Sequence, residues 1–209
     1  MAVYVIQTEG GKERALLSLI EQRVDNDICT GCFVPRVELS KSFRGVRRLV
    51  ENVLFPGYVF AISPDPARLD DVVRGLPQFA RVLSTGERWV PLSAGEIAWL
   101  RAFLGPDGGT GDGDRSGGEK WPGGGSSKRA LDEEIEASLL GGSQVVAMSE
   151  GYIEGDEIIV LSGPLIGRTA QIKKIDRHKR VAYLDVQMCG RTKTIKLGLE
   201  IVRKRAKSE

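Results

Sequence analysis

Residues 55 to 62 read FPGYVFAI, a run without a charged side chain in a chain that is 28 % charged. On a strand, successive side chains point to opposite faces. Phe55, Gly57, Val59 and Ala61 would then share one side, and Pro56, Tyr58, Phe60 and Ile62 the other. Neither side is polar, so such a strand must be covered twice. The core of its own domain can cover one face; what covers the second bears directly on what the chain is built to meet.

The chain has 209 residues and 41 % hydrophobic content, room for one or two domains of about 100 to 150 residues. No run approaches the roughly 18 to 20 apolar residues of a membrane span. The start, MAVYVIQTEGGKER, enters a strand pattern at once, without a basic stretch and an apolar signal core. A cytoplasmic location with no membrane partner is expected. Three cysteines, one of them isolated, make no disulfide framework and agree with a reducing compartment. The net charge of +2 hides an asymmetry. Residues 1–104 carry 13 basic and 12 acidic side chains, 105–154 carry 4 and 10, and 155–209 carry 13 and 6, giving +1, −6 and +7. A basic C-terminal third points to a polyanion as its partner.

Residues 1–104 alternate between strand and helix patterns. AVYVIQT reads as a strand, and GGKERALLSLIEQRV as a helix with Ala15, Leu16, Leu19 and Ile20 on its apolar stripe. Phe33 and Val34 begin the next strand, and RGVRR is a solvated hairpin tip. After FPGYVF come a helix at PARLDDVVRG, a strand at FARVLS and a helix at SAGEIAWLRAFL, where Ser93 and Glu96 fit a capping box. This order implies an α+β domain with an antiparallel-rich sheet and helices on one face.

Residues 105–149 read as an insertion or linker. Its first part, GPDGGTGDGDRSGGEKWPGGGSSK, has almost nothing to bury against the entropy of ordering it. RALDEEIEASLL then places Leu131, Ile135 and Leu139 on one face of a short acidic helix. Residues 150–205 read as a small all-β unit, its β-rich runs separated by turns at 162–164, 176–179 and 189–191. Within it Ala182, Leu184, Val186 and Met188 would face inward. Short, closely spaced strands of this kind close into a small barrel or sandwich.

Four stretches together resemble the NusG family of transcription elongation factors. They are FPGYVF, VRGLPQFARVLSTG at 73 to 86, the helix beginning LSAGEI, and GDEIIVLSGPLIGRTAQIKKID. They stand in the family's order and cover about 1–104 and 150–205. The resemblance implies an α+β N-terminal domain that binds RNA polymerase and a C-terminal KOW domain folded as a small SH3-like β-barrel. In this family an apolar depression of the N-terminal domain docks on the clamp helices of the polymerase. Position by position, that implies Phe55, Tyr58 and Phe60, completed by Val5 on the first strand and Val82 on the fourth; aromatic anchors dominate such interfaces. The alternative, that helices of the same domain cover the second face, stays open.

Arg44, Arg47 and Arg48 at the hairpin tip, and Arg74, are candidates for non-template or upstream DNA beside the polymerase, since guanidinium groups donate to phosphate in a planar fork. A solvated charged turn would look the same. In the C-terminal unit, Lys173, Lys174, Arg177, His178, Lys179 and Arg180 gather around one turn, and Arg191, Lys193 and Lys196 follow. Basic residues so concentrated suit an RNA backbone. The stretches IDRHKR and GRTKTIKLGLEIV resemble the specialised antiterminator paralogues called LoaP, whose KOW domain recognises a leader RNA hairpin. General family members use bulky aromatics at the first turn of this domain to contact Rho or a ribosomal protein. Here the turn is GPLIGR, with Leu165 and Ile166 in that place, and those contacts are in doubt.

No metal or cofactor is expected. Cys29 and Cys32 have ligand spacing but no second pair, DGDRSG lacks the closing Glu of a calcium loop, and the glycine-rich segment lacks the Gly-Lys-Ser/Thr of a phosphate loop. His178, the only histidine, has no nucleophile or carboxylate pair beside it. The expected protein is a monomeric, non-enzymatic transcription factor that promotes processive elongation or antitermination of particular operons. Two competing readings are a general elongation factor linking polymerase to Rho or the ribosome, and a KOW-containing RNA-binding protein of the ribosome.

Overall fold

The computed structural model describes residues 1–104, 137, 139–141, 144–154 and 157–202. In chain order the elements are β1 (Ala2–Thr8), α1 (Glu13–Arg23), β2 (Gly31–Phe33), β3 (Arg36–Phe43), β4 (Val46–Val53), β5 (Tyr58–Ser63), α2 (Pro66–Arg74), β6 (Ala80–Val82), β7 (Ser84–Thr85), β8 (Arg88–Trp89) and α3 (Ala94–Leu104). After the segment 105–136 come β9 (Val145–Val146), β10 (Ser149–Glu154), β11 (Glu157–Ser162), β12 (Ile172–Asp176), β13 (Val181–Met188) and β14 (Arg191–Ile201). The architecture is the expected α+β. The glycine-rich stretch and most of the expected acidic helix lie outside the described residues.

The N-terminal sheet has the order β2-β5-β1-β6 and is antiparallel throughout. Directly opposite residues in such a pair share a face, so Val5 with Phe60 and Ile6 with Val59 mark its two sides. Tyr4, Ile6, Val59, Ala61, Ala80 and Val82 pack with Leu16 and Ile20 of α1 and Leu69 and Val73 of α2. On the other side Val3, Val5, Phe33, Tyr58, Phe60 and Ile62 belong to a cluster that runs through Leu100 and Phe103 of α3 to Leu184, Ile195 and Leu197 of the C-terminal sheet.

Three expectations are corrected here. Strand alternation starts at Tyr58, because 55–57 form a turn in which Gly57 takes φ +82°. Phe55 therefore joins Tyr58 and Phe60, and Pro56 is exposed. Phe33 ends β2 and begins no longer strand: Pro35 has no N–H to continue the ladder, and the chain leaves for a separate sheet of order β4-β3-β9. On α1, Ala15 is exposed, while Glu13 is buried and accepts from the backbone N–H groups of Gly11 at 3.0 Å and Gly57 at 2.6 Å.

Local signals account for the helix ends. Asp65 caps α2 by accepting from Ala67 and Arg68 N–H at 3.0 and 3.1 Å, with Pro66 at the first helical position. At α3 the capping box forms as read: Ser93 Oγ accepts from Glu96 N–H at 3.3 Å, and Glu96 Oε2 accepts from Ser93 N–H at 2.7 Å.

The C-terminal sheet runs β11-β10-β14-β13-β12, in line with a small SH3-like barrel. Ala182, Leu184, Val186 and Met188 are buried, as their alternation implied. The hairpins β3–β4 and β13–β14 are both closed by two residues at positive φ, Arg44-Gly45 and Cys189-Gly190, the type I′ turn that matches strand twist. No helix among the described residues is long and apolar enough to cross a membrane.

Candidate functional site

The second face of the N-terminal sheet carries a chain of aromatic contacts. Phe33 stacks on Phe60 at 5.3 Å, Phe60 meets Phe55 edge-on at 5.5 Å, Phe55 meets Trp99 at 6.1 Å, and Trp99 meets Phe103 at 4.2 Å. Ring pairs at such distances add to the burial they already provide. Val5, Phe55, Tyr58 and Phe60 lie together on this face, all buried. Val82 does not. It pairs with Ile6 on β1 and points to the helix side, and Leu83, one residue on, takes its place in the aromatic cluster.

α3 covers part of the face and the C-terminal unit covers more of it. Lys193 Nζ on β14 sits 4.4 Å from the centre of the Tyr58 ring, and the Arg168 guanidinium lies 4.4 Å from that of Phe103, both within cation–π range. Burial holds the Arg168 pKa below its ordinary value. Cys189 N–H, at the β13–β14 turn, donates to Glu96 Oε1 on α3 at 2.6 Å. β3 and β14 also pack closely: a methyl group on Gly198 would stand 2.6 Å from the Glu38 carbonyl oxygen. This cover brings charges onto aromatic rings, which distinguishes it from an ordinary apolar core. Sequence reading missed Trp99, Phe103 and the inter-unit role of Glu96; only the capping box had marked Glu96 out.

The basic candidates divide by environment. Arg44, Arg47 and Arg48 are exposed on the β3–β4 hairpin, and Arg47 Nη2 donates to the His178 carbonyl in the β12–β13 turn at 3.2 Å. Arg74 lies apart from them on α2, on the helix side of the sheet, where its Nε donates to Asp70 Oδ2 at 2.8 Å. In the C-terminal unit Lys173 pairs with Asp185 at 2.7 Å, Lys179 with Asp176 at 3.5 Å, and Arg180 with Glu200. Lys193 is turned to Tyr58. Lys174, Arg177, His178, Arg191 and Lys196 are exposed and have no carboxylate within ion-pair distance among the described residues. Across the outer face of the sheet Lys174, Tyr183 and Lys196 stand directly opposite one another on β12, β13 and β14.

At the first turn of the C-terminal unit Leu165 is fully buried, so it fills the core and presents nothing to a partner. Among the described residues no group of three or more His, Cys, Asp or Glu could hold a metal. The Cys32 thiol is pushed up, first by its hydrogen bond with Cys29 and then by burial.

The family model "Transcription termination factor nusG" matches residues 1–101, and that of the KOW motif matches 154–183. The chain is 23 % identical to the transcription termination/antitermination protein NusG of Thermus thermophilus, with 96 % of this chain and 97 % of the relative covered. It is 24 % identical to the proteins of the same description from Helicobacter pylori and Bacillus subtilis, with 93 % of each chain covered in both cases. A solved structure described as "Domain interaction in Thermotoga maritima NusG" aligns with TM-score 0.40 at 17 % identity, covering 94 % of this chain and 93 % of that one. A match to the NusG model over 1–101 followed by a KOW motif over 154–183, with NusG proteins matched at 23–24 % identity over nearly their whole length, makes this chain similar to the NusG family in both its N-terminal and its C-terminal unit.

Proposed function

We propose that this protein is a transcription factor that binds RNA polymerase and promotes processive elongation or antitermination of particular operons, with its KOW unit recognising leader RNA. The single observation that carries the polymerase part is the aromatic face of Val5, Phe55, Tyr58 and Phe60, closed in part by the C-terminal unit through Lys193 and Arg168. A cover held partly by cations over rings can come away at lower cost than an apolar core, because the cations regain water when released. Release would bare an apolar, aromatic-rich surface of the kind that serves as a protein interface. Arg44, Arg47 and Arg48, exposed on the adjoining hairpin, would then face the DNA that passes the polymerase; Arg74, tied to Asp70 on α2, would add little.

The RNA part is supported by the exposed basic side chains that have no carboxylate within ion-pair distance among the described residues, Lys174, Arg177, His178, Arg191 and Lys196. Lys173, Lys179, Arg180 and Lys193 would contribute less in the docked arrangement, being already engaged. A general role in termination and antitermination is favoured by the descriptions of the relatives; a link from polymerase to Rho or a ribosomal protein is disfavoured by the burial of Leu165 at the first turn.

The test is transcription by purified polymerase through an intrinsic terminator, placed behind either the protein's own operon leader or an unrelated one. Read-through confined to its own leader is the expected result. Equal effects on both leaders would favour the general factor. Ribosome co-sedimentation without any effect on polymerase would favour the ribosomal reading.

A further inference from the structure

We propose that the groove between the β3–β4 hairpin and the β12–β13 turn is a composite site for a single-stranded RNA segment, assembled only while the two units are docked. This rests on the RNA-binding reading above and extends it to the N-terminal unit. The groove encloses about 410 Å³, within the range of about 300 to 1,000 Å³ typical of small-ligand pockets. Lys41 and Arg47 reach it from the N-terminal side, and His178, Lys179 and Lys196 from the C-terminal side. Among the described residues no carboxylate lines it. Lys41 donates to Asn52 Oδ1 at 2.8 Å and Arg47 to the His178 carbonyl at 3.2 Å, neutral partners that leave both positive charges uncompensated. Among the described residues Lys179 pairs with Asp176 at 3.5 Å, a carboxylate that His178 also neighbours.

Two rings make the site more than a patch of charge. Tyr183 lines the groove with Lys196 5.9 Å from its ring centre and Lys174 opposite on β12, a cation-flanked platform suited to stacking a base. Phe43, half exposed at the hairpin end, lines the same groove. Ser42 and the Tyr183 hydroxyl are neutral polar groups able to meet a 2′-hydroxyl, the group that separates RNA from DNA. A second cavity of about 370 Å³ shares Leu39, Lys41 and Lys196 with the first, so the path continues past a single nucleotide. An unpaired strand fits these features, because its bases are free to stack.

Neither unit alone presents this arrangement. Binding of RNA across it therefore favours the docked state and opposes the opening that bares the polymerase face, so RNA held here is a ligand of the polymerase-free protein, and opening of the units weakens its binding by the same factor.

The test is fluorescence anisotropy of the full chain with a labelled oligouridylate of about 12 nucleotides over a series of salt concentrations. Lys41→Ala/Arg47→Ala, both exposed, is expected to weaken binding about tenfold and to lower the salt slope by about 1.4 log units, since each single-strand phosphate neutralised contributes about 0.7. Tyr183→Ala is expected to lose about tenfold with little change of slope. Binding that falls with Lys196→Ala but is unchanged in Lys41→Ala/Arg47→Ala would overturn the composite site and leave RNA binding by the C-terminal unit standing. Failure of the unmodified protein to bind the RNA would overturn both. Tighter binding of oligothymidylate than of oligouridylate would overturn the assignment to RNA.

Discussion

Glu96 Oε1 accepts the Cys189 backbone N–H at 2.6 Å, which joins the first turn of α3 to the β13–β14 hairpin of the other unit. The second oxygen of the same carboxylate accepts from Ser93 N–H and Oγ, each at 2.7 Å. One side chain thus completes a helix cap and ties the two units together. Hydrogen bonds to an ionised acceptor are the stronger kind, and this one acts on a turn residue whose φ of +51° already confines it.

The thiol of Cys189 reports on this contact. Burial, then the nearby Glu96 carboxylate, push it up to about 12, against a smaller opposing effect of Arg191. At pH 8 roughly one thiol in ten thousand is then ionised. In a Cys29→Ser/Cys32→Ser background, alkylation at pH 8 should be slow. Glu96→Ala should speed it at least tenfold by removing a negative neighbour and exposing the turn; an unchanged rate would show that Glu96 does not hold the units together.

Gly198 allows β14 to lie against β3. A Cβ there would stand 2.6 Å from the Glu38 carbonyl oxygen, a backbone atom that cannot swing aside. Gly198→Ala should weaken docking by about 1 to 3 kcal/mol, the range of overpacking. Small-angle scattering should show a larger radius of gyration, with the β signal in circular dichroism retained. Gly190→Ala is the control: its φ is +70° with open space around it, so it should cost about 1 to 2 kcal/mol locally without separating the units.

Lys193 and Tyr58 should affect polymerase binding with opposite signs. Lys193→Ala removes a cation from the cover, 4.4 Å from the ring centre, and should increase retention on immobilised polymerase. Tyr58→Ala removes an anchor and should reduce it by tenfold or more. Phe60→Ala, like Tyr58→Ala, truncates a fully buried ring and should cost about 3 to 5 kcal/mol of fold stability, so retention is compared on variants shown to be folded. Changes of the same sign for Lys193→Ala and Tyr58→Ala would reject the idea that this face is shared between the C-terminal unit and polymerase.

Acid should loosen the C-terminal sheet through Asp185. Its carboxylate accepts from Lys173 Nζ at 2.7 Å and Thr194 Oγ1 at 2.5 Å, linking β13 to both neighbouring strands. These hydrogen bonds, Lys173 first, hold its pKa below the ordinary value. A depressed carboxylate stabilises the fold above its unfolded pKa and loses that contribution as pH falls through the folded one, here below about pH 4. Thermal melts from pH 7 to 3 should show a smaller acid drop for Asp185→Asn. Asp176, depressed chiefly by the Lys179 backbone N–H, should account for part of what remains.

Much of this fold is legible in local chemistry. Asp65-Pro66 starts α2, Ser93 and Glu96 start α3, and the alternation from Ala182 to Met188 marks an inward face. Each of these depends on neighbours within one element, where periodicity and capping act. The errors lie where long-range pairing intervened. Val82 takes its face from Ile6 across the ladder, and Phe55 takes its face from a turn at Gly57 that ends the alternation. Nothing in the sequence next to Arg47 reveals that it meets the His178 carbonyl, 131 positions away.

The sequence alone determined that the strand beginning within FPGYVF needs cover on both sides, since its apolar character is intrinsic to its side chains and independent of what surrounds them. It also determined that the C-terminal third is basic, because charge is a property of composition. Only the tertiary structure decided that the C-terminal unit lies on the second face, and which lysines and arginines remain without a carboxylate. Those outcomes depend on which distant surfaces come within a few ångströms of each other, and hydrophobic burial, which drives that docking, is non-directional.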